Sequence, residues 1–201
     1  MHGERENRPG YLAPEVELIR GDVRDPNAVT RALRGVDAVF HFAAAVGVGQ
    51  SMYQVEAYTD VNNRGTALLL EALVKQPIER LIVASSMIIY GEGLYHTPAG
   101  KLWAPPERPI EQLKRSDWEL HDGEGNSLQP VATPETKQPF PASVYALSKY
   151  DQERLCLIMG QAYAIPTVAL RFFNAYGTRQ SLSASLTGPF KINDSVVLNC
   201  E

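Results

Sequence analysis

The 201 residues predict an α/β fold built on a doubly wound parallel sheet. Two observations predict it. Short apolar runs recur along the chain, and helical patterns alternate with them. Strands that are apolar throughout belong to sheets covered on both faces, which are parallel sheets with helical crossovers. Right-handed crossovers make such a sheet doubly wound.

The elements follow in order. Residues 1–14, rich in Arg, Glu, Gly and Pro, read as loop or disordered chain. Val16–Arg20 reads as a strand. Asp25-Pro26 pairs an N-cap with proline at the first helical position, and Ala28, Val29, Ala32 and Leu33 give that helix its apolar face. Gly35 closes it, and residues 36–42 (VDAVFHF) form a buried strand. A small-residue loop over 43–49 leads into a long helix near 52–74. Leu81–Ala84 is the next strand, a second long helix spans about 143–164 before Ile165-Pro166, and residues 167–171 form a last strand. Between them, residues 91–141 hold eight of the 14 prolines and read as a long, mostly irregular excursion. Its two tryptophans, Trp103 and Trp118, favour partial packing.

Composition narrows the function. Apolar residues at 44%, charged residues at 21% and a net charge of −4 describe an ordinary globular chain. There is no basic footprint for nucleic acid or an anionic membrane. No apolar run approaches the ~20 residues of a membrane span, and the N-terminus has no signal-peptide core, so a cytoplasmic protein is expected. Cys156 and Cys200 are too few for a disulfide framework and offer no zinc spacing. The histidines at 2, 41, 96 and 121 have no metal spacing either, so no metal is expected, and His41 reads as a buried, satisfied imidazole. Asn193-Asp-Ser195 is formally a glycosylation acceptor, but nothing else points to secretion.

Several residues could carry chemistry. Tyr145 and Lys149 lie at i and i+4 on one helix face. A cation beside a phenol favours the phenolate, which can take a proton from a substrate hydroxyl. Such a pair also arises by chance about 0.3 times in a chain of this composition, as a surface tyrosine beside a solvated lysine. Ser85-Ser86 follows the 81–84 strand, where parallel sheets present ligand-binding groups or simply turn residues. Ala43-Ala44-Ala45 would let backbone approach a flat ligand, or pack helix on sheet. Asp22 could accept from an adenine amine, or form a turn.

In order and at compatible spacing, the chain contains GDVRD (21–25), VDAVFHFAA (36–44), VNNRGT (61–66), SSMIIYGEG (85–93), Tyr145-x-x-x-Lys149 and RFFNAYG (171–177). Together these resemble the extended short-chain dehydrogenase/reductases, the NAD-dependent nucleotide-sugar epimerases and dehydratases, over about residues 15–188. The wording of residues 46–66 and 84–95, with the long excursion, is most similar to the dTDP-L-rhamnose 4-epimerase type. The resemblance implies NAD as cofactor and a nucleotide-sugar substrate, a dTDP-hexose, with no nucleic-acid or membrane partner. It implies Ser86, Tyr145 and Lys149 as the catalytic set, Tyr145 being the base and Lys149 also holding the nicotinamide ribose. It places Asp22 and Val23 at adenine, and Phe42, Ala43, Ala44, Ala45, Asn62 and Phe173 along the cofactor. Ser86 and Asn174 would contact substrate, Asn174 at its phosphate. A homodimer through the helices near 52–74 and 143–164 is also implied.

Two departures qualify this. Family dehydratases carry Asp-Glu directly after the catalytic Ser/Thr, whereas Met87-Ile88 stands here and cannot move the protons of water loss. No Gly-x-x-Gly-x-x-Gly or Gly-x-Gly-x-x-Gly turn occurs to receive a pyrophosphate; Gly47-Val-Gly49, Gly91-Glu-Gly93 and Gly123-Glu-Gly125 lack the third glycine. The resemblance therefore implies an incomplete Rossmann-like sheet, truncated at both ends. It would lack the first strand, glycine-rich turn and first helix, and most of the C-terminal substrate region, with residues 189–201 a divergent tail. An inactive fragment or pseudoenzyme, or another nucleotide-sugar oxidoreductase, stands as the alternative.

Overall fold

A computed structural model of the chain describes residues 10–175. The expectations for residues 1–9, for Tyr176 to Gly188 and for the tail 189–201 lie outside them. The described residues form two compact units, one of 10–86 with 143–175 and one of 87–142.

The first unit is a three-stranded parallel sheet with helices packed on it. Helix α1, Pro26–Ala32, starts as its sequence dictates, with the Asp25 carboxylate accepting from the Asn27 amide at 2.9 Å. Strand β1, Ala38–His41, follows. A short helix α2, Val48–Ser51, precedes a continuous helical stretch made of α3 (Val55–Tyr58), a π-helical turn (Thr59–Arg64) and α4 (Gly65–Lys75). Strand β2 spans Arg80–Ser86, so Ser85 and Ser86 are its last two residues rather than the turn after it. The order is β1-β2-β6, where β6 is Thr167–Phe172, with Val39 opposite Leu81, Leu81 opposite Thr167 and Ser86 opposite Phe172.

The covered face holds the core. Leu69, Leu70 and Leu73 of α4 meet Leu81 and Val83 of β2, with Val29, Leu33, Ile78, Ile165 and Cys156. Each such side chain gains about 1.5–3 kcal/mol from burial. Cys156 acts as a small hydrophobe, its thiol pushed up to about 12 by burial. Helix α6, Val144–Ala162, lies on the same face. It is tied to β6 by a bidentate pair in which Arg171 donates to the Glu153 carboxylate at 2.7 and 3.0 Å. Burial raises the Glu153 pKa and the Arg171 bonds lower it; the net result is below the usual carboxylate value.

One expectation changes. Residues 16–20 pair with no strand among those described, and extended chain becomes a strand only where a neighbour answers its N–H and C=O groups. The helices described in this unit lie on one face of its sheet. The opposite face exposes Phe40, Phe42, Val168, Leu170 and Phe172, with edge-to-face ring contacts of 5.9 Å joining Phe40 to Phe42 and Phe42 to Phe172. Most of the excursion is irregular, with a few short elements. Its unit holds an antiparallel sheet ordered β4-β3-β5, formed by β3 (Leu94–His96), β4 (Leu102–Trp103) and β5 (Gln129–Val131). It also holds helix α5, Ile110–Lys114. Leu120 and Leu128 are buried there, Trp103 is half-buried and Trp118 is exposed. Gly91 adopts φ 64°, and a Cβ there would meet the Phe140 carbonyl at 2.6 Å.

Removing one partner of a buried ion pair strands the other. Arg171→Met should therefore lower unfolding free energy in urea by about 2–3 kcal/mol at pH 7. Because the folded Glu153 pKa is depressed, its contribution is full above the ordinary carboxylate pKa of about 4.3 and lost as pH falls through the folded value. The gap between wild type and variant should accordingly close in acid.

Candidate active site

The three strands of the first unit run parallel, so their C-terminal ends share one edge of the sheet, and the sequence-predicted residues gather there. The N-terminus of α6 is fixed at this edge by two serines. Ser143, the N-cap, accepts from the Ala146 amide at 3.0 Å, and Ser51 of α2 accepts from the Tyr145 amide at 3.0 Å. Ser51 is fully buried and donates onward to the Val48 carbonyl at 2.6 Å. Two otherwise orphaned helix N–H groups are satisfied in this way.

Tyr145 so placed is half-buried, stacks edge-on against Tyr58 at 6.3 Å and has the Ser86 hydroxyl as a neighbour. Burial raises its phenol pKa; the Ser86 hydrogen bond lowers it, and Tyr58 raises it. Among the described residues the Lys149 amine makes no hydrogen bond to this phenol. The Lys149 amine instead donates to Gln152 Oε1 at 2.6 Å, and burial draws its pKa down to about 8. Lys149 is 3% exposed.

The loop after β1 is held from beneath. Asn62 sits inside the π-helical turn, fully buried, and its amide is spent within the protein. Its Oδ1 accepts from the Ala45 amide at 2.7 Å, and its Nδ2 donates to the Ala45 carbonyl at 3.1 Å and to Ser148 Oγ at 2.8 Å. Asn62 therefore shapes Ala43–Ala45 and anchors α6 rather than facing a ligand, which corrects its expected place along the cofactor. Ala43, Ala44 and Ala45 are half-buried and Phe42 is 40% exposed. Asp22 and Val23 form a separate corner. Val23 packs so close to the helix that a Cβ on Gly65 would lie 2.5 Å from it. The Asp22 carboxylate accepts from Arg24 at its backbone and guanidinium, and Arg24 reaches on to Asp60 at 2.9 Å. The Arg24 hydrogen bonds hold both carboxyls below the usual range. Phe173 and Asn174 follow the end of β6 and are exposed.

The structure thus brings Ser86 to Tyr145 across 59 residues of chain, and Asn62 to Ala45 and Ser148. Sequence reasoning missed Ser51, Thr66, Ser148 and Gln152. Gln152 lies three residues after Lys149, a spacing that places both on one helix face and could have identified it. Ser51 carries no such signal.

These residues suit the nicotinamide-ribose end of NAD. The small side chains of 43–45 leave backbone approachable, and one of the three donors of the Lys149 ammonium is committed. No glycine-rich phosphate turn occurs in the sequence; Gly47 caps α2, and Val48 and Gly49 lie in its first turn.

The profile of the NAD dependent epimerase/dehydratase family matches residues 2–113 and 122–189. The chain belongs to this family. Its cofactor is NAD. A dTDP-L-rhamnose 4-epimerase of Burkholderia thailandensis is 35% identical over 185 residues, covering 90% of this chain and 50% of that one. Among solved structures, UDP-glucose 4-epimerase of Thermus thermophilus in complex with NAD has 31% identity and a TM-score of 0.61, over 90% of this chain and 47% of that one. UDP-glucuronic acid 4-epimerase of Bacillus cereus, in complex with UDP-glucuronic acid and NAD, has 26% identity and a TM-score of 0.58, over 80% and 40%. The chain spans about half the length of these relatives. Among the described residues, no helix is long and apolar enough to cross a membrane, and no cluster of ligating side chains is placed to hold a metal.

A buried ammonium opposes folding wherever the unfolded lysine holds its proton more tightly. With its pKa at about 8 against an ordinary value of 10.5, Lys149 makes stability rise with pH between those values. Lys149→Met should abolish that alkaline rise and stabilise the protein by about 1–2 kcal/mol at pH 7, the gain limited by the unanswered Gln152 oxygen. Thermal melts from pH 7 to 10 measure both effects.

Proposed function

We propose that this chain is the catalytic part of an NAD-dependent nucleotide-sugar 4-epimerase acting on a dTDP-hexose of the L-rhamnose type. The observation that carries the reading is the meeting of Ser86 and Tyr145 at the C-terminal edge of a parallel sheet, one helical turn from a buried lysine. Tyr145 Oη takes the proton of the sugar C4 hydroxyl, and Ser86 Oγ holds the C4 oxygen at bonding distance from it. NAD, held by Lys149 and the 42–45 loop, would supply the hydride acceptor and donor that inversion at C4 requires. Lys149, held positive in a buried setting, stabilises the Tyr145 phenolate once it forms and donates to the nicotinamide ribose. Tyr58, stacked on the phenol, limits where it can swing.

The other residues take supporting roles. Asp22, oriented by Arg24, accepts from the adenine amine, with Val23 packed beside it. Phe42, Ala43–Ala45 and Phe173 line the cofactor, and Asn174 binds a substrate phosphate. Met87 and Ile88 follow Ser86, and with no proton-transfer group there, dehydration is not the reaction. The long helices carry exposed apolar side chains, including Val55, Leu147 and Ile158, which supports pairing of two copies through them. A second reading, a family member that keeps the fold without turnover, is favoured by one observation, the missing glycine-rich turn.

The test is C4 epimerisation of dTDP-L-rhamnose by the full chain with added NAD. The proposal expects conversion, and Tyr145→Phe should reduce kcat by about 10²–10⁴-fold while the fold melts normally. Wild-type protein that neither retains NAD nor converts sugar supports the second reading.

A further inference from the structure

A buried ammonium is normally stabilised by a carboxylate, yet no ion pair is formed by Lys149 among the described residues. Its partner is Gln152, itself fully buried. The opposite end of that amide faces Thr66 Oγ1 at 2.8 Å and the Ala43 carbonyl at 3.3 Å, with His41 Nε2 at 3.1 Å. Thr66 Oγ1 in turn donates to the Asn62 carbonyl at 2.5 Å. Only one orientation of the amide satisfies this set. Turned over, it would set an NH₂ against an ammonium and a carbonyl oxygen against the Ala43 oxygen. The acceptor that Lys149 meets is therefore fixed from β1, α4 and the loop after β1.

The charged surroundings are sparse. His41 of β1 feels the Lys149 charge, and burial first and that charge second draw its imidazole down to about 3, so it is neutral at working pH. On α6 itself, Cys156 is a thiol with its pKa raised, Tyr145 is a phenol and Glu153 is committed to Arg171. From β2, α4 and the π-helical turn come only neutral groups at this point, Ser85, Thr66 and Asn62.

We propose that Gln152 is the positioning residue of the site lysine, a neutral acceptor that keeps the Lys149 amine protonated and aimed while leaving its positive charge uncancelled. The inference rests on Lys149 being the lysine of the active site. Glutamate at 152 would raise the amine's affinity for its proton but erase the charge that a Tyr145 phenolate requires. An apolar residue would leave the ammonium without an acceptor and cost it the proton. Gln152 also couples the amine to Ala43, so the lysine and the strand-end loop are set together.

The experiment follows the Lys149 Nζ resonance by ¹⁵N NMR through a pH titration of the full chain, the signal being assigned by its loss in Lys149→Met. Gln152→Met should lower the midpoint by about one unit, a roughly tenfold change in the acid constant. Gln152→Glu, nearly isosteric, should raise it by at least as much. A midpoint within a few tenths of wild type in a Gln152→Met protein that still melts cooperatively overturns the proposal. If Gln152→Met does not fold, an unchanged or lowered midpoint in Gln152→Glu overturns it instead. Midpoints that move as expected in a wild-type background without turnover count against the functional reading and not against this coupling. Unchanged midpoints with turnover intact count against Gln152 alone.

Discussion

The site depends on polar side chains buried beneath the loop that follows β1. Asn62, Thr66 and Gln152 are fully inaccessible, and each uses its hydrogen-bonding groups within the protein. A buried amide costs free energy unless it is answered, and an answered one tolerates little displacement. Backbone of the loop, the N-terminal turns of α6 and the start of α4 are therefore set against each other by a few bonds of 2.5–3.1 Å. The π-helical turn is part of the same device, since it carries the extra residue that places Asn62 inward.

This arrangement trades stability for chemistry at two groups. His41 is kept neutral and Lys149 is kept nearly dry, and both shifts oppose folding over part of the pH range. The apolar core between α4, β2 and α6 offsets them, with the Glu153–Arg171 pair fastening α6 to β6 just past the lysine. The placement of Tyr145 rests on neutral contacts alone: a serine on its amide, a serine on its phenol and a tyrosine ring on its edge.

Much of this was legible in the sequence because it is local. Asp25-Pro26 announced α1, and Ser143 with the 144–162 pattern announced α6. The apolar runs 81–84 and 167–171 marked two of the parallel strands. Tyr145 and Lys149 stood out as an i, i+4 pair and Ser86 as a strand-end serine, and the family resemblance supplied their roles. What could not be read is what depends on distant partners. Residues 16–20 have strand composition but no neighbour among the described residues to pair with. The proline-rich segment concealed a small sheet because its strands are two or three residues long, too short for a period-two pattern to register. Asn62 was identified but given a ligand-facing role, since no spacing rule says that its amide is consumed by Ala45 and Ser148.

The most direct test of the central claim is hydrogen exchange at the Ala45 amide, read by NMR against the Leu81 amide of the sheet. Ala45 lies in a loop, and among the described side chains its N–H is answered by Asn62 Oδ1 alone. The account predicts slow exchange at Ala45 in the wild type and a large acceleration in Asn62→Ala, with Leu81 much less affected. An Ala45 amide that exchanges in the wild type as fast as an open loop would contradict it.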